Sequence, residues 1–302
     1  MYYSLNDAMK QRFGCKVYKL SLSGGMTCPN RDGTIDSRGC IFCSKSGSGD
    51  FAEQGCQSIS EQIERAKSRV ASKIKDGKYI AYFQDFTNTY ASVEYLKEIF
   101  TEAINHPDVV ILSIATRPDC LPCDILDLLE NLNNIKPVWV ELGLQTIHKS
   151  SADYIRRGYP LSVFNTAVKD LKQRGIEVIA HMIIGLPFET EQMIYETAEY
   201  IGKSGVNGVK FHLLHVLKNT DLAKEYENKA FEPLSLEKYT DILIECIKRI
   251  PNTMAVHRLT GDGAKKELIA PLWSADKKKV LNYINKKFKE SNLQQGQLFG
   301  LK

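Results

Sequence analysis

Residues 177–185, EVIAHMIIG, and residues 109–115, VVILSIA, decide the fold. Each is apolar on both parities, so neither can turn one side to water. A strand of that kind belongs inside a parallel sheet covered on both faces. Four further strand-like runs occur at 17–22, 79–84, 138–144 and 209–214. Helical stretches fall between them at 58–74, 92–105, 124–132, 162–173, 191–204 and 235–249. Six β–α units in series predict a parallel sheet with right-handed crossovers, either an open doubly wound sheet or a partial barrel. Both place ligands at the C-terminal ends of the strands.

The punctuation agrees with this reading. Ser58, Ser92, Asp124, Ser162 and Ser235 are placed to cap helix N-termini, and Gly77, Gly175 and Gly205 to end helices. A chain of 302 residues with 43% hydrophobic residues supports one sizeable α/β unit. No apolar run reaches membrane-spanning length, and the first residues carry no signal-peptide pattern, so a cytoplasmic protein with no membrane partner is expected. The net charge of +4 is uneven: residues 265–302 hold nine lysines against three acids, a surplus of six, which leaves the rest near −2. Such an end suits a phosphate backbone, and it equally suits a solvated helix face. The last forty residues read as an appended strand and a lysine-rich helix over 274–288, with 296–302 as a frayed terminus.

The chemistry-bearing segment follows the first strand. Residues 24–45 read GGMTCPNRDGTIDSRGCIFCSK, with Cys28, Cys40 and Cys43 spaced Cys-x11-Cys-x2-Cys. In a reducing compartment, clustered cysteines are metal ligands or redox groups rather than disulfides. A structural zinc needs a fourth ligand, for which Cys56 is available. A [4Fe–4S] cluster held by three thiolates needs none and keeps one iron open. Cys120 and Cys123 form a Cys-x2-Cys that reads as a redox pair, as part of a second metal site, or as two unlinked cysteines. Cys15 and Cys246 fit no pattern.

The cysteine loop, with Phe42 before its last cysteine, resembles the cluster loop of the radical S-adenosylmethionine superfamily. The x11 gap departs from the usual x3 and is similar to the branch containing the catalytic subunit of elongator, the tRNA wobble-uridine enzyme. The phrases YFQDFTNTYA (82–91), SIATRPDCL (113–121), ELGLQTIH (141–148), HMIIGLP (181–187), KFHLLHVLKNT (210–220) and VHRLTGD (256–262) extend the likeness over about residues 18–262. Together they resemble a family of short proteins related to elongator but lacking its acetyltransferase domain.

That resemblance implies a (β/α)6 partial TIM barrel over 17–255, with an N-terminal extension at 1–16 and a C-terminal one at 256–302. It implies a [4Fe–4S] cluster on Cys28, Cys40 and Cys43, and S-adenosylmethionine beside it. It assigns Phe42 and Gly185 to the adenine and Gln84 to the methionine amino group, although a Gly-Gly-Glu-like segment is usual at that last position. Gln145 and His181 would face the ribose, and Arg157 the methionine carboxylate. Tyr90, His212 and His215 are candidates for the substrate side, with Asn88, Lys210, His257 and Arg258 nearby; as bare signals, each is equally a structural residue. The implied activity is reductive cleavage of S-adenosylmethionine and hydrogen abstraction from a modified wobble uridine of tRNA, converting carboxymethylaminomethyluridine towards aminomethyluridine. An electron donor such as flavodoxin or ferredoxin is then a partner. The competing readings are a radical enzyme for a small or tetrapyrrole-like substrate, and a zinc-stabilised nucleic-acid-binding module.

Overall fold

The computed structural model describes residues 1–44, 47, 58–73, 77–261, 263 and 265–301; Cys56 and Asp262 lie outside them. Its strands are β1 (Val17–Leu22), β2 (Lys78–Phe83), β3 (Val109–Thr116), β4 (Val138–Gln145), β5 (Glu177–Ile184), β6 (Gly208–Leu213), β7 (Val216–Leu217), β8 (Ala255–Arg258) and β9 (Leu268–Ala270). The α-helices are α1 (Leu5–Phe13), α2 (Ile59–Val70), α3 (Val93–Asn105), α4 (Cys123–Asn133), α5 (Lys149–Tyr154), α6 (Leu161–Gln173), α7 (Glu191–Lys203), α8 (Asp221–Glu227), α9 (Leu236–Lys248) and α10 (Lys277–Glu290). The main sheet runs β1-β2-β3-β4-β5-β6-β8, parallel throughout and curled into a half-barrel. β7 and β9 pair antiparallel beside it.

The sheet therefore has one strand more than the six read from the sequence. β8, AVHR, is four residues long with two polar members, too short for a hydrophobic pattern to announce it. It lies across position 255/256. The starts of two helices also differ: α4 and α6 are preceded by Pro122 and Pro160 at the N-cap, without side-chain caps, rather than by Asp124 and Ser162. Proline's fixed φ suits that position and its missing N–H is no loss there. Ser58, Ser92 and Ser235 cap as expected, each accepting a backbone N–H three residues on. The C-terminal segment is docked rather than frayed, because Gln295 is a buried staple. Its amide donates to the carbonyls of Pro251 and Met254, at 2.7 Å each, and accepts from the Tyr3 N–H at 2.8 Å.

The strands' period of two sorts the barrel interior into levels. The lowest holds Ile80, Ile111, Trp139 and Ile179, closed from below by Met9 of α1 with Leu5 and Val17 against them. Two residues along the same strands come Lys19, Tyr82, Ser113, Glu141, His181 and Lys210. Two further on come Ser21, Gln84, Ala115, Gly143, Ile183 and His212. Opposite parities face the helices in one large apolar core that includes Leu20, Phe83, Leu112, Val140, Ala180 and Phe211. The inner face thus passes from an apolar floor, through a charged layer, to an open top.

Candidate active site at the strand ends

The eleven-residue gap between Cys28 and Cys40 folds upon itself. The N–H of Ile35 donates to Pro29 O at 2.8 Å, and that of Gly39 to Asn30 O at 2.7 Å, returning Cys40 to the neighbourhood of Cys28. Cys43 N–H then donates to Cys40 O at 3.0 Å. Arg31 reaches across to the carbonyls of Cys43, at 3.0 Å, and Ser44. Asn30, fully buried, donates to Arg156 O at 2.7 Å and points the same amide at Cys40 Sγ, 3.5 Å away. A Cβ on Gly158, where φ is +83°, would come within 2.8 Å of that amide's oxygen, so glycine is what lets the two loops meet. Ile41 enters a second apolar cluster with Ile155, Ile183 and Leu214, a burial that contributes about 1.5–3 kcal/mol to seating the loop.

The three thiols form no disulfide among the described residues and are half-buried. Burial, and then the neighbouring Cys43 and Cys28 thiols, push Cys40 up to about 12, offset in part by Asn30 and Arg117. Ligation therefore has to displace its proton. Among the described residues, the three-donor group whose ligand atoms all fall within 4.8 Å of one another is Glu64, His106 and Asp108, not the cysteines. Sulfurs around one zinc at about 2.3 Å would lie roughly 3.8 Å apart. The three thiols do not all lie within 4.8 Å of one another, a spread that a multi-iron cluster accommodates. Lys67 already fills the Glu64–Asp108 group, donating to both carboxylates.

The loop roofs a cavity of about 280 Å³. Cys28, Cys40, Cys43, Phe42, Gln84, Gln145, Arg157, His181, His212 and His215 all line it. Tyr90 does not: its hydroxyl pairs with Thr34 on the outside of the loop, at 2.9 Å. Gly185 turns the chain after β5 at φ +93° and packs on Leu234, behind the lining residue Ile183. Arg157 is nearly fully buried. Its Nη1 donates to Leu144 O (2.9 Å) and Thr146 O (2.6 Å), and its Nε to Tyr159 O (3.1 Å). It thus shapes the turn where Gln145 sits at φ +64°, beside a register shift in β4. The Asn88 amide donates to carbonyls of β2 and β3.

In the charged layer beneath, Glu141 and Lys19 were not assigned from the sequence, which placed His181 beside the ribose and Lys210 on the substrate side. Glu141, fully buried in β4, accepts from Lys19 (2.5 Å), Ser113 (2.7 Å), His181 Nε2 (2.7 Å) and Lys210. Lys210 also donates to Tyr82 OH at 3.0 Å, over whose ring it lies. Burial opposes the Glu141 charge, but Lys19, Lys210 and His181 outweigh it and hold the carboxyl well below its usual range. Lys210 is pushed well down by burial, with Lys19 and Arg258 adding to the effect against Glu141. Lys210 bears the heavier burial penalty of the two lysines, its side chain 3% exposed against 19% for Lys19. His181 falls to about 4, from burial and then Lys210. The signal that could have found this layer is a glutamate and a lysine placed mid-strand in runs otherwise apolar on both faces, since buried charges come in partners.

Arg117 was also missed as a site residue. It lines the cavity, forks onto Asp119 at 2.9 and 2.7 Å, and lies 4.9 Å from the Tyr159 ring centre. Cys120 is buried with its thiol pushed up to about 12 by burial and Asp119, and Cys123 is exposed at the start of α4.

Residues 35–201 match the Radical SAM superfamily, and residues 206–290 match the Radical_SAM C-terminal domain. The chain is 46% identical over 298 residues to the uncharacterized protein YtqA of Bacillus subtilis, covering 99% of this chain and 92% of that one. It is 26% identical over 161 residues to a tRNA uridine(34) acetyltransferase of Methanocaldococcus jannaschii, 51% of this chain and 28% of the relative. Among solved structures, the archaeal Elp3 of Methanocaldococcus infernus superposes with a TM-score of 0.69 at 17% identity, over 92% of this chain and 64% of that one.

Proposed function

Because the chain belongs to the radical S-adenosylmethionine superfamily, with a [4Fe–4S] cluster and S-adenosylmethionine as its cofactors, we propose that it acts on a modified wobble uridine of tRNA, converting carboxymethylaminomethyluridine towards aminomethyluridine. The observation that carries the reading is the three-thiol loop seated over the strand ends of an elongator-like half-barrel. When bound, the two groups supply one-electron cleavage of a sulfonium and hydrogen-atom abstraction.

Cys28, Cys40 and Cys43 would hold the cluster, with Asn30 and Arg31 fixing the loop around them. Gln84, Gln145 and His181 offer polar contacts to a bound S-adenosylmethionine, Phe42 and Ile183 an apolar wall that keeps water from the reacting carbon. Arg157 offers a guanidinium, though its Nε and Nη1 are committed to main-chain carbonyls. An electron donor of the flavodoxin or ferredoxin kind is a required partner. The lysines of α10, exposed at Lys277–Lys279 and Lys286 and half-buried at Lys287, suit the phosphates of tRNA. Nucleoside analysis of bulk tRNA from cells with and without the protein tests the reading. Accumulation of the carboxymethylaminomethyl nucleoside on deletion is expected; an unchanged wobble-nucleoside profile would overturn it.

A further inference from the structure

His181 has two sides, one held by Glu141 and one open to the cavity. The imidazole lines the cavity, and its Nε2 lies 2.7 Å from the fully buried Glu141 carboxylate. That carboxylate takes Lys19 and Ser113 on one oxygen, and Lys210 beside His181 on the other. With two lysines on it the group is ionised, and an ionised carboxylate has no hydrogen to give. The proton of the His181–Glu141 bond therefore sits on Nε2. Burial, with Lys210 adding to it, keeps the ring neutral. A neutral imidazole carries one N–H, so Nδ1 is a bare lone pair.

Nδ1 makes no hydrogen bond to the described residues, and it is not sealed in: it opens onto the cavity, where the side chain keeps 15% of its surface. Turning the ring over about its Cβ–Cγ bond would exchange each nitrogen with a carbon and leave Glu141 facing Cε1. Loss of a charge-assisted hydrogen bond opposes that turn. The carboxylate fixes two things at once, the way the ring faces and the nitrogen left bare. This part of the wall offers an acceptor and no donor. A phosphate or carboxylate oxygen arriving there meets lone pair against lone pair, whereas a hydroxyl satisfies it.

We propose that Glu141 is a positioning residue, which makes His181 Nδ1 an acceptor-only seat for a ribose hydroxyl. The inference deepens the proposed function and rests on it, because S-adenosylmethionine and a tRNA substrate each bring a ribose to the cavity. Glu141, fully buried, acts through His181.

The test is isothermal titration calorimetry of the anaerobically reconstituted protein. One arm compares S-adenosylmethionine with its 2′-deoxy and 3′-deoxy forms. The other, with S-adenosylmethionine present, compares anticodon stem-loops whose wobble nucleoside is ribo or 2′-deoxy. The parent is expected to prefer the hydroxylated member of at least one pair by about fivefold or more, the scale of one hydrogen bond. The pair that discriminates names the source of the hydroxyl. In Glu141→Leu/Lys210→Met, which removes the buried ammonium together with its partner, that preference falls to near unity and the affinity for the deoxy member changes by less than about twofold. His181→Phe gives the same result, and His181→Asn, whose amide reaches the Nδ1 position, restores part of the preference. A parent that discriminates in none of the pairs refutes the seat. Equal weakening of both members in the double variant makes Glu141 a structural residue and also refutes the seat. If no stem-loop binds the parent, the tRNA reading falls, and the S-adenosylmethionine pairs still decide the seat. Where the double variant does not fold, nitrogen NMR of the histidine-labelled parent decides, with the His181 signals assigned by their absence in His181→Asn. A protonated Nε2 and a bare Nδ1 are expected; a protonated Nδ1 refutes the proposal.

Discussion

Replacing Glu141 with glutamine tests the charged layer at its centre. The carboxylate accepts four hydrogen bonds, Lys19 and Ser113 on one oxygen, Lys210 and His181 on the other. A glutamine can accept on one side only. Its amide nitrogen then faces either the Lys19 pair or the Lys210 pair, donor against donor, and the negative charge is gone from both. Lys210 suffers more, because its side chain is 3% exposed and the Tyr82 hydroxyl is its other contact. Removing one partner from a buried ion pair costs about 3–5 kcal/mol, a third or more of a typical domain's stability of about 5–15 kcal/mol. Without Glu141 nothing offsets the burial of Lys210, so the folded variant binds that proton less tightly than the folded parent does; the unfolded chain then binds more of it and the variant's stability rises with pH more than the parent's. The deficit should therefore narrow as pH approaches about 10.4, where the unfolded lysine also loses its proton. Urea unfolding of the parent and Glu141→Gln at pH 7 and pH 10, followed by far-UV circular dichroism, measures both. A deficit below about 1 kcal/mol at pH 7, or one that does not change with pH, would refute the reasoning. The companion Glu141→Leu/Lys210→Met should recover much of the loss, since it buries no unpaired charge.

Cys40→Ala should keep the fold but retain no stable cluster after anaerobic reconstitution, against about four irons per parent chain; parent-like iron content would remove Cys40 from the ligand set. His181 is pushed down to about 4 and its unfolded value is about 6.5, so stability is complete above that pH and is lost as pH falls between the two. In His181→Asn the stability loss over that window should shrink, which urea midpoints at pH 7, 5.5 and 4.5 will show. Gln295→Ala strands the Tyr3 N–H and the Pro251 and Met254 carbonyls, and should cost about 3 kcal/mol in urea unfolding.

What could be read from the sequence had a simple physical basis. Strands apolar on both parities, such as 109–115 and 177–185, have one home, so the parallel sheet was legible, and with it the destination of the cysteine loop. β8 and α1 were not legible. AVHR is too short to show a period, and Leu5–Phe13 presents one buried residue, Met9, to a floor that exists only once seven strands have curled. Residue roles were harder still. Arg157 was expected to face a cofactor carboxylate; in the fold its Nη1 and Nε also hold the main-chain carbonyls of Leu144, Thr146 and Tyr159, ties that no sequence pattern announces. Tyr90 lies close to the loop in sequence order of motifs but points its hydroxyl to Thr34. Lys19, in VYKLSL, looks like an ordinary solvated lysine at a sheet edge; its role appears only when β1 curls towards β4 and Glu141.

The closed floor has a kinetic consequence. With Met9 and the isoleucine layer sealing one end of the half-barrel, whatever reacts inside enters and leaves through the mouth beneath the cysteine loop. Two ligands sharing one doorway must queue: the one seated deeper is admitted first and released last. Steady-state kinetics with product inhibition should accordingly show compulsory-order rather than random addition.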